Sequence, residues 1–470
     1  MRRIVVLAAL FVFPALAGAQ SFTASIRGTV TDPSQAGVPG ARVVATQVDR
    51  NAEHVATTDS VGRYVLTALP PGRYSLTAEA TGFKRYSQPA FELRVDQQVQ
   101  VDIMLSVGSV TETVEVVAEA PLLESVTSSV GKVVDNRRIV SLPLNTRNVY
   151  ALVFLTPGVS GSVGYNYGEM RYAVNGARER MLDTLIDGAP ASHPTVNGGG
   201  GISVFPSVDA IEEFKVMGAN YQAEFGRSQG SILNVIFKSG SNAFHGSAFE
   251  FLRNSVLDSN NFFANRGSLK LGSFKRNQFG GMLSGPIRQN KTFFMADYEG
   301  LRERSARNTN PPYTVPTELQ RRGDFSQTFT TVTRPTGERV IELVRVFNPF
   351  TTRAAGTGFT RDPFENNIVP ANLLDPVALN VIKYYPQGNV PGLPVTNQQN
   401  YQKSGTQQIN IDQFDVRIDH NLSDTRKIYG RYSHRHTGDV PPIYFPQEQT
   451  IAEGRIKQED RVRGGVLDYT

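Results

Sequence analysis

The stretch Gln413-Phe414-Asp415-Val416-Arg417-Ile418-Asp419-His420 sets three apolar side chains against three charged ones at a period of two. Successive side chains of a β-strand point to opposite faces, so Phe414, Val416 and Ile418 share one face and Asp415, Arg417 and Asp419 the other. Apolar residues toward lipid and charged residues toward a water-filled lumen is the pattern of a transmembrane barrel strand. An antiparallel sheet half-buried in a soluble protein shows the same alternation, and periodicity alone leaves both readings open. Around this strand, residues 244–252, 277–287, 292–301, 339–347, 427–436 and 461–469 give further strand candidates. Between them, residues 302–406 are mostly Pro, Thr, Asn and Arg, long for a soluble-domain loop and natural for an extracellular one. Within that loop, Asp375-Pro376 followed by VALNVIKYY predicts a capped short helix.

Composition narrows the class. The chain has 470 residues, 40% of them hydrophobic, enough for a packed core. After the first twenty residues there is no apolar run of about 18, which excludes a helical membrane protein. The net charge of +5 is modest and no Lys/Arg block points to nucleic acid. Arg2 and Arg3, an apolar core over residues 4–16 and Ala17-Gly18-Ala19 make a signal peptide over residues 1–19, so the mature chain begins at Gln20 outside the cytoplasm. An exported chain with no cysteine has no disulfides and no cysteine-based zinc site.

Residues 20–106 read as a small β-sandwich of transthyretin/Ig-like type. Short alternating runs (25–31, 41–47, 55–58, 64–68, 73–78 and 99–105) are separated by Asp-Pro, Pro-Gly and Gly turns. Tyr64, Leu66, Tyr74 and Leu76 are its expected core. Residues 121–240 mix helix-like and strand-like pieces with Gly-rich loops, an α+β pattern.

Several segments carry a resemblance to a known family. The segments IEEFKVMGANYQAEFGRSQGSILNVIFKSGSNAFHGSAFEFLRNSVLDSNNFFAN (211–265) and FKRNQFGGMLSGPIRQNKTFFMADYEGLR (274–302) resemble the plug-to-barrel junction of Oar-like TonB-dependent outer-membrane transporters. LPLNTRNVYALVFLTPGV (142–159) and YAVNGARERMLDTLIDGAP (172–190) resemble their plug, with Thr146 in place of a usual glycine and Arg180-Met181 where an asparagine is common. GTVTDPSQAGVPGARV and TTDSVGRYVLTALPPGRYSLTAEATGF resemble the carboxypeptidase-regulatory-like domain. That region has a single histidine, His54, without a partner at ligand spacing, so no zinc chemistry follows from the name.

The resemblance implies a mainly β architecture: sandwich (20–106), linker (107–120), plug (121–240) and the first strands of a large antiparallel transmembrane barrel (241–470). Plugged transporters use about 22 strands and a membrane sheet must close, whereas about a third of that number are found here, so a truncated barrel is expected. In the linker, VTETVEVVA lies where a TonB box belongs. Thr111, Glu112, Thr113, Val114, Glu115, Val116 and Val117 combine β-propensity with charges that keep an unpaired strand soluble, as β-augmentation by TonB requires. A last strand of the sandwich is the alternative.

Weaker motifs have plainer readings. Gly226-Arg227-Ser228-Gln229-Gly230 matches the G-x-S-x-G nucleophile elbow, but the β-rich SILNVIFK follows it where a helix is needed. His434 and His436 share a strand face with no third ligand apparent, and read as rim residues. Asp183, Asp187, Glu212 and Glu213 have no fixed separation, and Asp187-Gly188 reads as a turn. Gly198–Gly201 lacks a phosphate-cradling Lys or helix cap. The expected function is therefore non-enzymatic, with no cofactor or metal. It is energised uptake of an extracellular ligand at the outer membrane, with TonB and membrane lipid as partners and the sandwich and plug on the periplasmic side. An exported adhesion or carbohydrate-binding protein using the sandwich is the alternative.

Overall fold

A computed structural model describes residues 23–109, 113–115, 131–144, 147–163, 170–178, 182–191, 204–218, 220–221, 225–226, 228, 230–266, 270–309, 311–423, 426–446 and 457–469. The expected signal peptide (1–19), Thr111, Glu112, Val116, Val117, Asn145-Thr146, Arg180-Met181 and the glycine run at 198–201 lie outside the described residues.

The first unit is a sandwich of two sheets. Its strands are β1 (Ala24–Thr31), β2 (Arg42–Gln47), β3 (Ala52–Thr57), β4 (Arg63–Leu69), β5 (Gly72–Glu79), β6 (Arg85–Leu93), β7 (Gln98–Gln100), β8 (Ile103–Met104) and β9 (Thr113–Glu115). One sheet runs β4-β1-β7 with β8 also on β1; the other runs β3-β2-β5-β6-β9. Alternating residues from both sheets, among them Ile26, Val43, Tyr64, Leu66, Tyr74, Leu76 and Val99, close the core between them. Strand β6 has no alternation and carries Pro89, which hides it from sequence reading. The register on β5 jumps from Tyr74↔Phe91 to Leu76↔Gln88, so the proline sits in an irregularity where no ladder donor is needed.

The second unit is a mixed sheet of order β10-β15-β16-β13-β14, built from β10 (Gly131–Asp135), β13 (Leu182–Ile186), β14 (Ala189–Pro190), β15 (Ile211–Met217) and β16 (Ser231–Phe237). β11 (Val159–Val163) and β12 (Met170–Val174) form a separate hairpin. Strand β16, with the sequence SILNVIF, is buried along its whole length, as expected of a central strand covered on both faces. Asp187 and Gly188 join β13 to β14 with φ of 44° and 82°, a two-residue turn with both residues left-handed, the conformation for which Asp-Gly is selected.

The third unit is a six-stranded antiparallel sheet in sequence order, β17-β18-β19-β24-β25-β26. Its strands are β17 (His245–Asn254), β18 (Phe274–Arg288), β19 (Thr292–Asn308), β24 (Ser404–Ser423), β25 (Arg426–Val440) and β26 (Gln458–Tyr469). The turn at 289–291 and the junction from β24 to β25 lie at one end, and the long connections 255–273, 309–403 and 441–457 at the other. The alternation read at 413–420 holds: Phe414 and Ile418 are 38% and 46% exposed, while Asp415 and Asp419 are 3% and 7%. Strand β19 repeats it, with Asp297, Glu299, Leu301, Glu303 and Ser305 turned in. The inward face carries Met282 and Met295 into the same apolar cluster as Tyr150, Phe214 and Val235 of the second unit, so the mixed sheet is packed inside the curve of the wall.

Two boundaries differ from expectation. The run at 339–347 is not a wall strand: β21 (Arg339–Leu343) pairs with β20 (Phe329–Thr333) in a hairpin of the 309–403 connection, next to a smaller one, β22 (Arg353–Ala355) with β23 (Gly358–Thr360). Both faces of β21 are solvated, so no buried side selects it for the wall. The wall strands also run on to Asn308 and start again at Ser404, because polar residues such as Glu303 and Ser305 continue the inward face beyond the apolar stretch. Pro376–Val381 is helical, with the Asp375 carboxylate accepting from Val377 and Ala378 N–H.

Candidate functional site

The candidate site lies in the seam where the mixed sheet of the second unit (where the plug is expected), the wall and the sandwich meet. Asp187 is its centre. The Asp-Gly turn pushes this carboxylate out of the plug sheet toward the wall, where the alternation of β24 and β25 aims two guanidinium groups back at it. Arg417 lies 3.2 Å and Arg431 2.7 Å from its two oxygens. The Phe237 amide donates to the same carboxylate at 3.0 Å, and the Tyr429 hydroxyl donates to the Asp187 carbonyl at 3.1 Å. Arg431 also stacks on the Phe237 ring at 4.5 Å.

The chain of charges continues into the sandwich. Arg417 grips Asp419 with two hydrogen bonds of 3.0 Å. Arg50, from the β2–β3 connection, reaches Asp419 at 3.7 Å, donates to the Gly240 carbonyl at 2.9 Å and lies 5.1 Å from the Phe293 ring centre. Arg50, Asp419, Arg417, Asp187 and Arg431 thus alternate in sign across all three units, every one buried or nearly so. Taking such charges from water costs several kcal/mol per ion, and removing one partner of a buried pair costs about 3–5 kcal/mol. The network therefore fixes position more than it adds stability. Gly240 has no room for a side chain: a Cβ there would sit 2.5 Å from the carbonyl oxygens of Gly285 and Phe294.

Further contacts hold the sandwich to the same end. The Asn242 amide donates to the Asp49 carbonyl at 2.9 Å, and Lys427 Nζ lies 2.9 Å from His54 Nε2. Burial, then the neighbouring Lys427 charge, push the His54 imidazole down to about 3, so it is the neutral acceptor. On the plug side, the Val95 amide donates to Glu213 at 2.5 Å and Val95 enters a plug cluster with Leu185, Met217 and Ile232. Burial pushes the Glu213 carboxyl up to about 8. A cavity of about 470 Å³ lies in this seam, lined by Arg50, Glu212, Lys238, Asp419, Lys427 and Tyr429 among others.

Higher in the seam, Arg147 pairs with Asp209, to which the Ser247 hydroxyl donates at 3.1 Å. The Arg147 guanidinium lies over Phe249 and Phe251 of β17 at 4.1 and 4.5 Å. Asp297 and Asp415 face each other in register on β19 and β24, giving the wall an acidic patch toward the plug. At the long-connection end, Tyr313, Tyr401, Tyr444 and Phe445 stack edge to face and tie the 309–403 connection to residues 441–446.

The other residues singled out in the sequence fall as follows. Thr113, Val114 and Glu115 add to the sandwich as a parallel edge strand opposite Arg85, Tyr86 and Ser87 of β6. The Ser228 hydroxyl is used in the turn before β16, donating to the Ser231 carbonyl at 2.6 Å and accepting from the Gly230 and Ser231 amides. His434 lies on the outer face of the wall, its ring 5.3 Å from that of Phe414. Among the described residues no group of three His, Cys, Asp or Glu could hold a metal ion. Of the four carboxylates, Asp187 and Glu213 join the seam contacts and Glu212 lines the cavity. Arg417 is visible in sequence only as an inward charge of the 413–420 strand, and Arg50 and Arg431 are not singled out there. Pairings across 230 and more positions leave no local signal.

Comparison with known proteins agrees with this geometry. Residues 236–470 match the outer membrane beta barrel domain family, and residues 25–106 the carboxypeptidase regulatory-like domain. The TonB-dependent transporter Oar of Myxococcus xanthus is 31% identical over 313 residues, covering 63% of this chain. This chain spans 28% of that transporter's length. Among solved structures, the outer membrane transporter YddB from Escherichia coli aligns over 72% of this chain and 36% of its own, at 13% identity and a TM-score of 0.42. The ferric enterobactin receptor PfeA aligns over 72% and 40%, at 12% identity and a TM-score of 0.35. An N-terminal regulatory-like sandwich thus precedes a wall of the outer membrane, and the chain belongs to the outer membrane beta barrel domain family.

Proposed function

We propose that this chain forms the sandwich, the plug and the leading wall of a TonB-dependent transporter that takes up an extracellular ligand. The observation that carries the reading is the plug sheet seated against the charged face of the wall through Asp187, Arg417 and Arg431. Beside the apolar contacts of Met282 and Met295, the plug is held to the wall by polar groups, and these exchange their partners for water at modest net cost because each group released is rehydrated. An apolar seal of the same area would lose all its contacts at once.

In this reading the short-turn end faces the periplasm and the long connections face outward, where the aromatic cluster around Tyr401 holds loops that meet the ligand. Residues 111–117 supply the strand that TonB pairs with once 113–115 leave the edge of β6, and the pull passes through the linker to β10 at the plug's edge. The seam then opens from the sandwich side. Binding energy and motor force do the work, so neither a nucleotide nor a metal is needed.

Deletion of residues 111–117 is the test. Uptake of a fluorescent ligand panel should stop while the protein still reaches the outer membrane and binds ligand at the surface. Uptake unchanged by the deletion would refute the coupling role, and loss of surface binding with it would favour an adhesion protein acting through the sandwich.

A further inference from the structure

The sandwich stands on the plug and on the wall at once. Its plug foot is the connection between β6 and β7. There Val95 is buried with Leu185, Met217 and Ile232, its amide donates to Glu213 at 2.5 Å, and Lys215 Nζ lies 3.5 Å from the Asp96 carbonyl. Its wall foot is the β2–β3 connection together with β3. Arg50 reaches Asp419, the Asp49 carbonyl accepts from the Asn242 amide, and His54 meets Lys427. Asn242 is itself tied to the turn between β18 and β19, exchanging hydrogen bonds of 2.7 and 2.8 Å with Asn290.

The plug in turn meets the wall through Asp187, Arg417 and Arg431. Sandwich, plug and wall are thus joined pairwise, and at this end plug and wall part only if one foot of the sandwich breaks. The cavity between the feet is lined by Gln47, Pro70 and Pro71 of the sandwich, Phe237 of the plug, and Ser284 and Tyr429 of the wall. The seam therefore opens beneath the sandwich.

The feet differ in chemistry. Charged and polar groups carry the wall foot, and these exchange their partners for water at small net cost. The plug foot encloses an apolar side chain that gains no partner in water, so the wall foot is the one that lets go. A pull on the linker reaches that foot through a single sheet. Residues 113–115 pair with β6 at one edge of the sheet β3-β2-β5-β6-β9, and β3, next to the wall foot, is the opposite edge.

We propose that the sandwich is a clamp: docked on both partners it keeps the plug from parting from the wall, and release of its wall foot precedes opening of the seam. The clamp deepens the uptake reading, which supplies the pull, but its test needs neither TonB nor a ligand.

The full chain in outer membranes carries D49C/N242C, and hydrogen exchange is followed at the β13–β14 turn and at Phe237, whose amide is held by the Asp187 carboxylate. With the disulfide formed, exchange there should slow about tenfold or more relative to the same chain reduced, because the covalent link returns the wall foot to its place. In a chain without the cysteines, R50A should speed it by roughly a hundredfold, the factor for losing a charge-assisted hydrogen bond and a desolvated cation–π contact. Amides of the sandwich core, such as Leu76, should stay protected throughout, which separates undocking from unfolding. Should R50A expose them, the oxidised and reduced forms of D49C/N242C decide alone. Seam exchange equal in those two forms overturns the clamp. So does wild-type exchange in a folded R50A chain, which would show the plug foot giving way first. Uptake that survives deletion of residues 111–117 would sink the uptake reading and leave the clamp standing.

Discussion

Replacing Arg50 with alanine should release the sandwich from the wall while leaving both units folded. The residue is 6% exposed and makes three contacts across the seam: a charged hydrogen bond to the Gly240 carbonyl, an ion pair with Asp419 and a stacking contact with Phe293. A hydrogen bond to a charged group contributes about 1.5–3 kcal/mol, and a desolvated cation–π contact about 2 kcal/mol. Removing the guanidinium also removes its own desolvation cost, and Asp419 is not orphaned because Arg417 still holds it. The net loss comes to about 3 kcal/mol, roughly a hundredfold in the docked-to-undocked ratio. The absence of native cysteine makes this measurable. The Asn242 amide bonds the Asp49 carbonyl, which puts the two Cα atoms about 5 Å apart, within disulfide range. In a D49C/N242C background, the fraction cross-linked under mild oxidation reads docking directly. R50A should lower it sharply, and R50K should fall between, keeping charge without the planar fork. Cross-linking unchanged by R50A would refute the claim that this residue anchors the sandwich.

Asp187→Asn keeps the shape of the turn and removes the charge between Arg417 and Arg431, so the plug edge should loosen by about 3–5 kcal/mol. Hydrogen exchange at the β13–β14 turn and at Phe237 should quicken while the sandwich core stays protected; unaltered exchange there would show that the wall does not hold the plug through this residue. Glu213 gives a pH test. Its carboxyl is raised to about 8 by burial, so its stabilising contribution is full below the ordinary carboxylate range, near 4.5, and is lost as pH rises through about 8. Glu213→Gln keeps an acceptor for the Val95 amide and should flatten the fall in sandwich–plug cross-linking between pH 6 and about 9; a variant as pH-sensitive as wild type would place the titration elsewhere. Gly240→Ala should reduce folding yield, since its Cβ meets two backbone carbonyls that cannot turn aside, and normal yield would mean the β16–β17 junction yields more than the geometry allows.

Much of the wall was legible because a period of two with opposite chemistry on the two faces has few solutions. Phe414/Asp415 and Ile418/Asp419 report the sides of the sheet without any long-range information. Tyr64, Leu66, Tyr74 and Leu76 were readable as core for the same reason. What escaped was set by tertiary contact. Strand β6 breaks its own alternation with Pro89 and is held by its neighbours β5 and β9. The 339–347 run has strand propensity but no buried face to recruit it into the wall. Asp187 looked like an ordinary turn residue, and its role depends on Arg417 and Arg431, far along the chain. The segment at 113–115 shows the limit of propensity most plainly, since a free β-prone strand can pair with whichever sheet edge is nearest, and here that edge is β6.

The central claim is that β24 stands with one face to lipid and the other to a plug inside a membrane wall. A nitroxide scan tests it most directly: single cysteines at each position from 413 to 419, spin-labelled in the outer membrane, with accessibility to oxygen and to a polar nickel chelate compared. The account predicts strict alternation, with positions 414, 416 and 418 open to oxygen and closed to the chelate, and 413, 415, 417 and 419 shielded from both by the plug. Equal access of the chelate to positions 414, 416 and 418 would put that face in water and contradict the account.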